Sequence, residues 1–464
     1  MIFHKSRYLI LVTRELSKKY TFPLLIGFFL GLFGMIGFRQ IAPKLLNQIA
    51  APTIHVGLVG DVTPATLPLS IQTLISSGLT RLGPDGSPEP DLATKWEATD
   101  AGRTYVFTIA ENTLWHGGGH VQARDINYNI RDVTFSVNSP YSLRATLKEP
   151  FAPFLTLVSK PILQVGLKGM GNYRVGSIRL KGETVQSLRL EPIADRLAPA
   201  REYRFYRTEA MATLAFHLGD VDVLEDMSAS DAFSSWKNSS VSAHPRYDRV
   251  VALYFNTKDP MLGDKSFRQA LGFAVPPLSN AAPAASDGAG SFDVPDLGFE
   301  RAYSPIPKTS WGYTDSIKKY EYDPATTKKL MTSAKMASES ANLTITTFSQ
   351  YVDVAQKIAT SWTNLGVPTT VQVVNTIGQF QVLLSAQAIP PDPDQYPLWH
   401  STQASTNLTG YLNVKIDKLL EDGRKELDTE KRKKIYYDFA KRLVEDAPAL
   451  FLYYPTTYTV TRRK

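Results

Sequence analysis

Residues 343–374 read LTITTFSQYVDVAQKIATSWTNLGVPTTVQVV. The β-branched runs predict strands over Leu343–Thr347 and Thr369–Val374, with a helix over Val352–Leu365 between them. A strand, a helix and a second strand in that order make a β-α-β unit, which belongs in an α/β sheet.

Working outward, the same kind of reading predicts strands at Thr53–Val59, Arg103–Ile109, Val185–Leu190, Glu202–Tyr206 and Val250–Phe255, with a terminal strand at Leu450–Tyr454. Ser70–Arg81 reads as a helix or turn segment, and Gly83-Pro-Asp-Gly-Ser87 is a tight turn by its Pro and Gly chemistry. Helices are expected at Glu209–Gly219, with Met211, Leu214, Ala215 and Leu218 on one face, and at Pro324–Met336, Lys415–Leu427 and Thr429–Asp446. Residues 276–296 are a Pro/Ala/Ser/Gly stretch without periodicity. The chain carries no internal repeat.

Composition bounds the function. The chain has 464 residues, 51 Lys+Arg against 44 Asp+Glu, and a net charge of +7. The charge is not spread evenly. Residues 1–51 hold Lys5, Arg7, Arg14, Lys18, Lys19, Arg39 and Lys44 against the single acid Glu15. The remainder is nearly neutral, which argues against a nucleic-acid-binding surface. Cys is absent. That excludes disulfides, thiolate metal sites, Cys nucleophiles and a lipid anchor carried on Cys. Hydrophobic content of 43% and a mean hydropathy of −0.17 fit an ordinary globular protein with ample core.

Phe22–Phe38 (FPLLIGFFLGLFGMIGF) is free of charge and, as a helix, would be about 25 Å long, the short end of a bilayer span. Lys18 and Lys19 precede it, so the positive-inside rule places residues 1–21 in the cytoplasm as a basic head and residues 39–464 outside. The competing reading is a cleaved signal peptide, but no A-x-A site follows closely. An uncleaved anchor at 22–38 is expected, with 39–52 as a tether.

Several separated segments resemble one family, the extracytoplasmic solute-binding proteins of family 5, the oligopeptide, dipeptide and nickel group of ABC importers. Within Ser76–Ile130 the similar positions are Pro90, Leu92, Ala93, Trp96, Thr104, Tyr105, Phe107, Trp115, His116, Gly117 and Asp125. Met170-Gly-Asn-Tyr-Arg-Val175, Ala210–Val223, Leu253–Ala274 and Asp392–Tyr454 resemble further motifs of that family, and together the segments span most of residues 53–464. The resemblance implies a two-lobed, periplasmic-binding-protein-like α/β fold with mixed sheets, and the charge-free stretch at 22–38 sets a single N-terminal transmembrane helix before it. Lobe I is expected over 53–257, with a trimmed accessory subdomain at about 83–165, lobe II over 258–446, and a return to lobe I over 447–464. The paired crossings make a hinge, expected at Tyr254, Asn256 and Pro448. The implied function is extracytoplasmic capture of a peptide or small solute and delivery to an ABC permease. A membrane-tethered receptor of the same fold without a transport partner is the alternative. No enzyme activity, metal, cofactor or nucleic-acid partner is expected.

The sequence departs from the family in ways that bear on the ligand. The dipeptide and oligopeptide binders carry an acid a few residues before Asp-Pro, which pairs with the peptide's amino group. Here the matching stretch is Ala388-Ile389-Pro390-Pro391. Asp392 or Asp394 could substitute, or could instead cap the turn. Tyr396, Trp399 and His400 lie in a Pro-rich loop, either as flat rings for a ligand or as packing under the second lobe. Gln350 and Tyr351 follow a strand and open a helix, a position that faces the crevice in open α/β sheets. Thr66, after the first strand, is a third candidate wall.

Two motifs invite other chemistry. His116-Gly-Gly-Gly-His120 resembles an oxyanion loop or a zinc pair. No G-x-S-x-G elbow accompanies it and three glycines cannot present two His from a helix. The family resemblance makes it a turn into a helix. Lys431-Arg-Lys-Lys434 could hold anions, but a solvated helix face is expected.

Overall fold

The 343–374 stretch forms one edge of a six-stranded sheet in the computed structural model. Leu343–Thr347 and Thr369–Val373 pair in parallel, Leu343 opposite Thr369, and the helix Val352–Asn364 crosses between them. Val354, Ala355, Ile358, Ala359 and Trp362 form the buried stripe of that helix. The structure describes residues 31 and 52–463, except 194, 196, 197, 235, 279–299 and 335–341. Among the described residues no helix is long and apolar enough to cross a membrane. The expected head (1–21), the anchor at 22–38 apart from Gly31, and the tether up to residue 51 lie outside the described residues, as does most of the 276–296 stretch.

Two large sheets carry the fold. The first has seven strands in the order Ser239–Pro245, Thr456–Arg462, Val223–Met227, Thr53–Val59, Ala200–Tyr206, Thr184–Pro192 and Tyr173–Lys181. The second runs Glu300–Arg301, Ala449–Tyr454, Arg249–Phe255, Val382–Ala388, Leu343–Thr347 and Thr369–Val373. An accessory sheet of Ala93–Thr99, Thr104–Ile109, Ser142–Leu147 and Val133–Ser139 has its own core around Tyr105, Phe107 and Phe154. It falls inside the expected 83–165 span. The 3-10 turn Ala123–Asp125 leads to its strand Val133–Ser139 with no α-helix between.

The crossings differ in place from the sequence expectation. Arg249–Phe255 and Ala449–Tyr454 are neighbours in the second sheet, where Tyr254 opposes Leu383 on one side and Ala449 on the other. The chain therefore changes sheets at residues 246–248 and again at Pro455, not at Tyr254, Asn256 and Pro448. Pro455 has no N–H for a ladder, so a strand cannot run straight through it. The lobe boundaries move accordingly, from 257 to about 248 and from 447 to 455.

One helix also turns a different face to the core. Glu209–Leu218 buries Ala212, Ala215 and Phe216 and exposes Met211, Leu214 and Leu218. Phe216 sets the buried face, packing on Phe233 at 5.5 Å and Trp236 at 5.6 Å. At Gly57, in the strand Thr53–Val59, an added Cβ would stand 2.6 Å from Leu224 of the neighbouring strand.

Candidate functional site

Strand polarity locates a cleft. In the first sheet Thr53–Val59, Ala200–Tyr206 and Val223–Met227 are mutually parallel, and Met227 opposes Tyr458, just past the crossing at Pro455. Their C-terminal ends therefore point toward the crossings. In the second sheet Arg249, the first residue after a crossing, opposes Ala388 at the end of Val382–Ala388, and Leu343–Thr347 runs parallel to that strand. Both sheets thus turn the C-terminal ends of their parallel strands to the two crossings. That is where open α/β sheets bind ligands.

The crossings lie side by side. The Arg246 N–H donates to the Pro455 carbonyl at 2.8 Å, and the Tyr247 and Tyr454 rings pack at 5.0 Å. The Arg246 guanidinium grips Asp248 through Nε (3.0 Å) and Nη2 (2.8 Å) and reaches Asp226 of the first sheet through Nη1 (2.7 Å). Burial works against the Asp248 charge, but Arg246 and Arg249 outweigh it and hold the carboxyl below its ordinary value. Asp226 sits at φ 58° in a bulge of its strand, which aims its carboxylate across the junction. The two crossings are thus tied together by one arginine.

The walls follow from the strand ends. After Thr53–Val59 the chain turns at Gly60 (φ 146°), whose N–H donates to Tyr206 O. Asp61 there faces Arg207 at 3.6 Å. Opposite stand Ser349–Tyr351 and residues 387–391. The accessory part also reaches the second lobe. The Trp311 N–H donates to Asp85 O (3.0 Å), and a Cβ on Gly86 (φ 81°) would lie 2.7 Å from the Pro391 carbonyl oxygen. The turn at 83–87 therefore requires glycine at 86 where it meets residue 391.

The site residues expected from sequence fall into two groups. Gln350 is exposed and Tyr351 half-buried, both at the strand end facing the cleft. Thr66 is exposed in the turn Pro64–Thr66, where its hydroxyl accepts from the Thr63 N–H. The loop residues are absorbed by packing. Trp399 is buried against Tyr254 and Phe451 and donates to Gln395 Oε1 at 2.9 Å. His400 is buried, stacked on Tyr396 at 4.0 Å and held by Thr402 and Glu421. Asp394 accepts from Arg424 Nε (2.8 Å) and the Tyr396 N–H (3.1 Å). Burial pushes the Asp394 carboxyl above its ordinary value even against the pull of Arg424. Of the loop residues, Tyr396 alone borders open space, in a cavity away from the crossings. Tyr254 is fully buried, its hydroxyl unpartnered among the described residues. The Asn256 amide bonds Phe380 O, and Pro448 O accepts from the Phe255 N–H.

Sequence reasoning missed the anchor of this loop. Arg432, read as part of a solvated run, is buried and bidentate to Asp392 at 2.8 and 3.1 Å. Its guanidinium also lies 5.0 Å from the Trp311 ring, and Nε donates to Gly423 O. The signal was spacing. Arg432 shares the buried stripe of its helix with Tyr436, Phe439 and Leu443. The 116–120 motif is a turn, with Gly118 and Gly119 at φ near 87° and His116 bonded to the Gly171 carbonyl, but the helix expected after it is only the 3-10 turn Ala123–Asp125. A larger cavity of about 670 Å³ lies at the far end of the second sheet, lined by second-lobe residues alone, with Asn256, Gln381 and Asn407 bonded internally.

Residues 200–407 match the family described as bacterial extracellular solute-binding proteins, family 5. This middle part of the chain carries that family's signature. The chain is 21% identical over 421 residues to a probable D,D-dipeptide-binding periplasmic protein of Escherichia coli, covering 79% of each chain. It is 22% identical over 463 residues to the dipeptide-binding protein of the same organism, covering 81% of this chain and 82% of that one. Two solved structures share its fold. The oligopeptide-binding protein of Bacillus subtilis in complex with a nonapeptide gives a TM-score of 0.63 at 19% identity, covering 89% of this chain and 95% of that one. A nickel ABC transporter protein of Bacillus halodurans gives 0.73 at 16%, covering 89% and 95%.

Proposed function

We propose that this chain is the extracytoplasmic substrate-binding protein of an ABC importer, capturing a peptide or similar small solute between its two lobes. The observation that carries the reading is the paired crossing at 246–248 and Pro455, with the parallel strand ends of both sheets turned toward it. A ligand that touches both walls stabilises the closed arrangement, and the difference between open and closed is what a permease can read. Relatives named as dipeptide- and oligopeptide-binding proteins support the peptide class.

Two finer points belong to the same reading. The charge-free Phe22–Phe38 stands where a Cys-borne lipid would otherwise hold the protein to the membrane, with an extended tether reaching at most about 45–50 Å. Residues 388–391 carry no acid, and Asp392 and Asp394 are engaged by Arg432 and Arg424. The ligand is therefore held without a carboxylate partner for its amino terminus from this loop.

The test is native mass spectrometry of the protein purified from its own membranes, with small-angle scattering on added ligand. A co-purified peptide and compaction on rebinding are expected. Persistent emptiness across peptide libraries, with no compaction, refutes the reading. Co-purification with a sensor protein in place of a permease would favour a receptor role.

A further inference from the structure

A cavity of about 520 Å³ opens between the accessory sheet and the second lobe. Arg131, Lys148 and Phe151 line it from the accessory side, and Tyr396, Arg424 and Lys425 from the other. It is separate from the cleft at the crossings, since neither they nor the strand ends around them border it.

Arg424 is held there from three directions. Its Nε donates to Asp394 Oδ2 at 2.8 Å. Its guanidinium carbon lies 4.0 Å from the Tyr396 ring centroid and 5.1 Å from that of Phe151. Its backbone carbonyl accepts the Ala152 N–H at 2.7 Å, a direct bond between the two bodies. The side chain nevertheless remains 28% exposed, and Nη1 and Nη2 have no hydrogen-bond partner among the described residues. A guanidinium fixed at one edge and stacked on its face presents its free donors in one orientation. That fork matches a carboxylate.

Acidic groups line the same space. Glu421 is turned to His400 Nε2 at 3.4 Å, while Asp132 and Glu149 are exposed. The lining is therefore not a general polyanion surface. It selects one small anion by geometry, with aromatic rings beside it.

We infer that this cavity is a second ligand site that takes the carboxylate of a small acid bearing an aromatic or apolar group. The carboxylate meets the free Nη edge of Arg424, with Lys148 and Lys425 in the same cavity, and the apolar part lies against Phe151 and Tyr396. Because its walls come from both bodies, occupancy tightens the accessory part onto the second lobe.

The test titrates the full chain with N-acetyl-L-phenylalanine by calorimetry, with L-phenylalaninamide, which lacks the carboxylate, as the control. One saturable site for the acid and none for the amide are expected. Arg424→Lys keeps the charge but loses the fork, and should weaken binding about tenfold or more. Lys148→Gln, an exposed change that leaves the fold intact, should weaken it about threefold and lower its salt dependence. Amide exchange at Ala152 should slow when the acid is bound. Equal binding of acid and amide, equal affinity in wild type and both variants, or no saturation up to about 10 mM would each overturn the inference.

Discussion

Removing the Arg432 guanidinium by Arg432→Met should cost about 3–5 kcal/mol. The side chains of Arg432 and Asp392 are 8% and 6% exposed, and two hydrogen bonds at 2.8 and 3.1 Å join them. With the cation gone, Asp392 keeps the hydrogen bond it accepts from the Asp394 N–H at 2.9 Å. An acid in that position is a buried charge without a counter-ion. The ring contact with Trp311 and the bond to Gly423 O are lost as well. Breaking one partner of such a pair is costly, whereas replacing both groups is often close to neutral. Arg432→Met combined with Asp392→Asn should therefore recover at least about half of the loss, since Asn retains an acceptor for the Asp394 N–H. Guanidinium unfolding followed by tryptophan fluorescence measures all three proteins. A single-variant cost below about 1 kcal/mol, or a double variant no better than the single, would refute the claim that this pair anchors the 390–400 loop.

Gly86→Ala puts a side chain at φ 81° against the Pro391 carbonyl, so the accessory turn should be pushed off the second lobe and ligand affinity should fall; scattering should report a more open particle, and unchanged compaction would contradict this. Burial opposes the Asp446 charge, but bonds from Tyr411, Lys265 and Asn413 prevail and hold its carboxyl below the ordinary value. Its stabilising effect is thus fully present above about pH 4 and is lost as pH falls through the folded-state value; Asp446→Asn should flatten the acid limb of a melting-temperature profile, and an unaltered limb argues against it. Leu214→Ser should change stability by less than about 0.5 kcal/mol while Phe216→Ala costs about 3–5, as chemical denaturation would read; the reverse order would restore the face expected from sequence. N-acetylation of a bound peptide should alter its affinity by less than about threefold in calorimetry. A loss of about tenfold or more would reveal a carboxylate partner for the amine that the 388–394 loop lacks.

The sequence carried the local elements and the family motifs because these rest on short-range signals. The β-α-β stretch, the helix Thr429–Asp446 and the strand Arg249–Phe255 are each legible from side-chain period and branching. The sheet each strand joins was not legible. Val250–Phe255 and Leu450–Tyr454 read as apolar strands, but nothing within them names their neighbour, and pairing between residues some two hundred positions apart is a tertiary outcome. The helix face failed because the large Met211, Leu214 and Leu218 drew the reading. The buried side is set by Phe216, which packs on Phe233 and Trp236 with Ala212 and Ala215 beside it. The two parts of the candidate site differ in what the sequence could say of them. Strand-end positions such as Gln350 and Tyr351 follow from topology, while the aromatic loop was drawn into the core by ion pairs to Arg424 and Arg432, which lie about thirty to forty residues downstream of their acids.

The order of the last strands has a consequence for biogenesis. Ala449–Tyr454 lies between Glu300–Arg301 and Arg249–Phe255, and Thr456–Arg462 lies between Ser239–Pro245 and Val223–Met227. Both are interior members of their sheets, yet both leave the ribosome after every other described strand. Until they arrive, each large sheet is split by a missing strand, and the hydrogen-bond edges at Arg249–Phe255 and Val223–Met227 stay open. A polypeptide built this way delays its own folding until synthesis is nearly over. A chain cut short before residue 449 is therefore a defective partner in both halves at once.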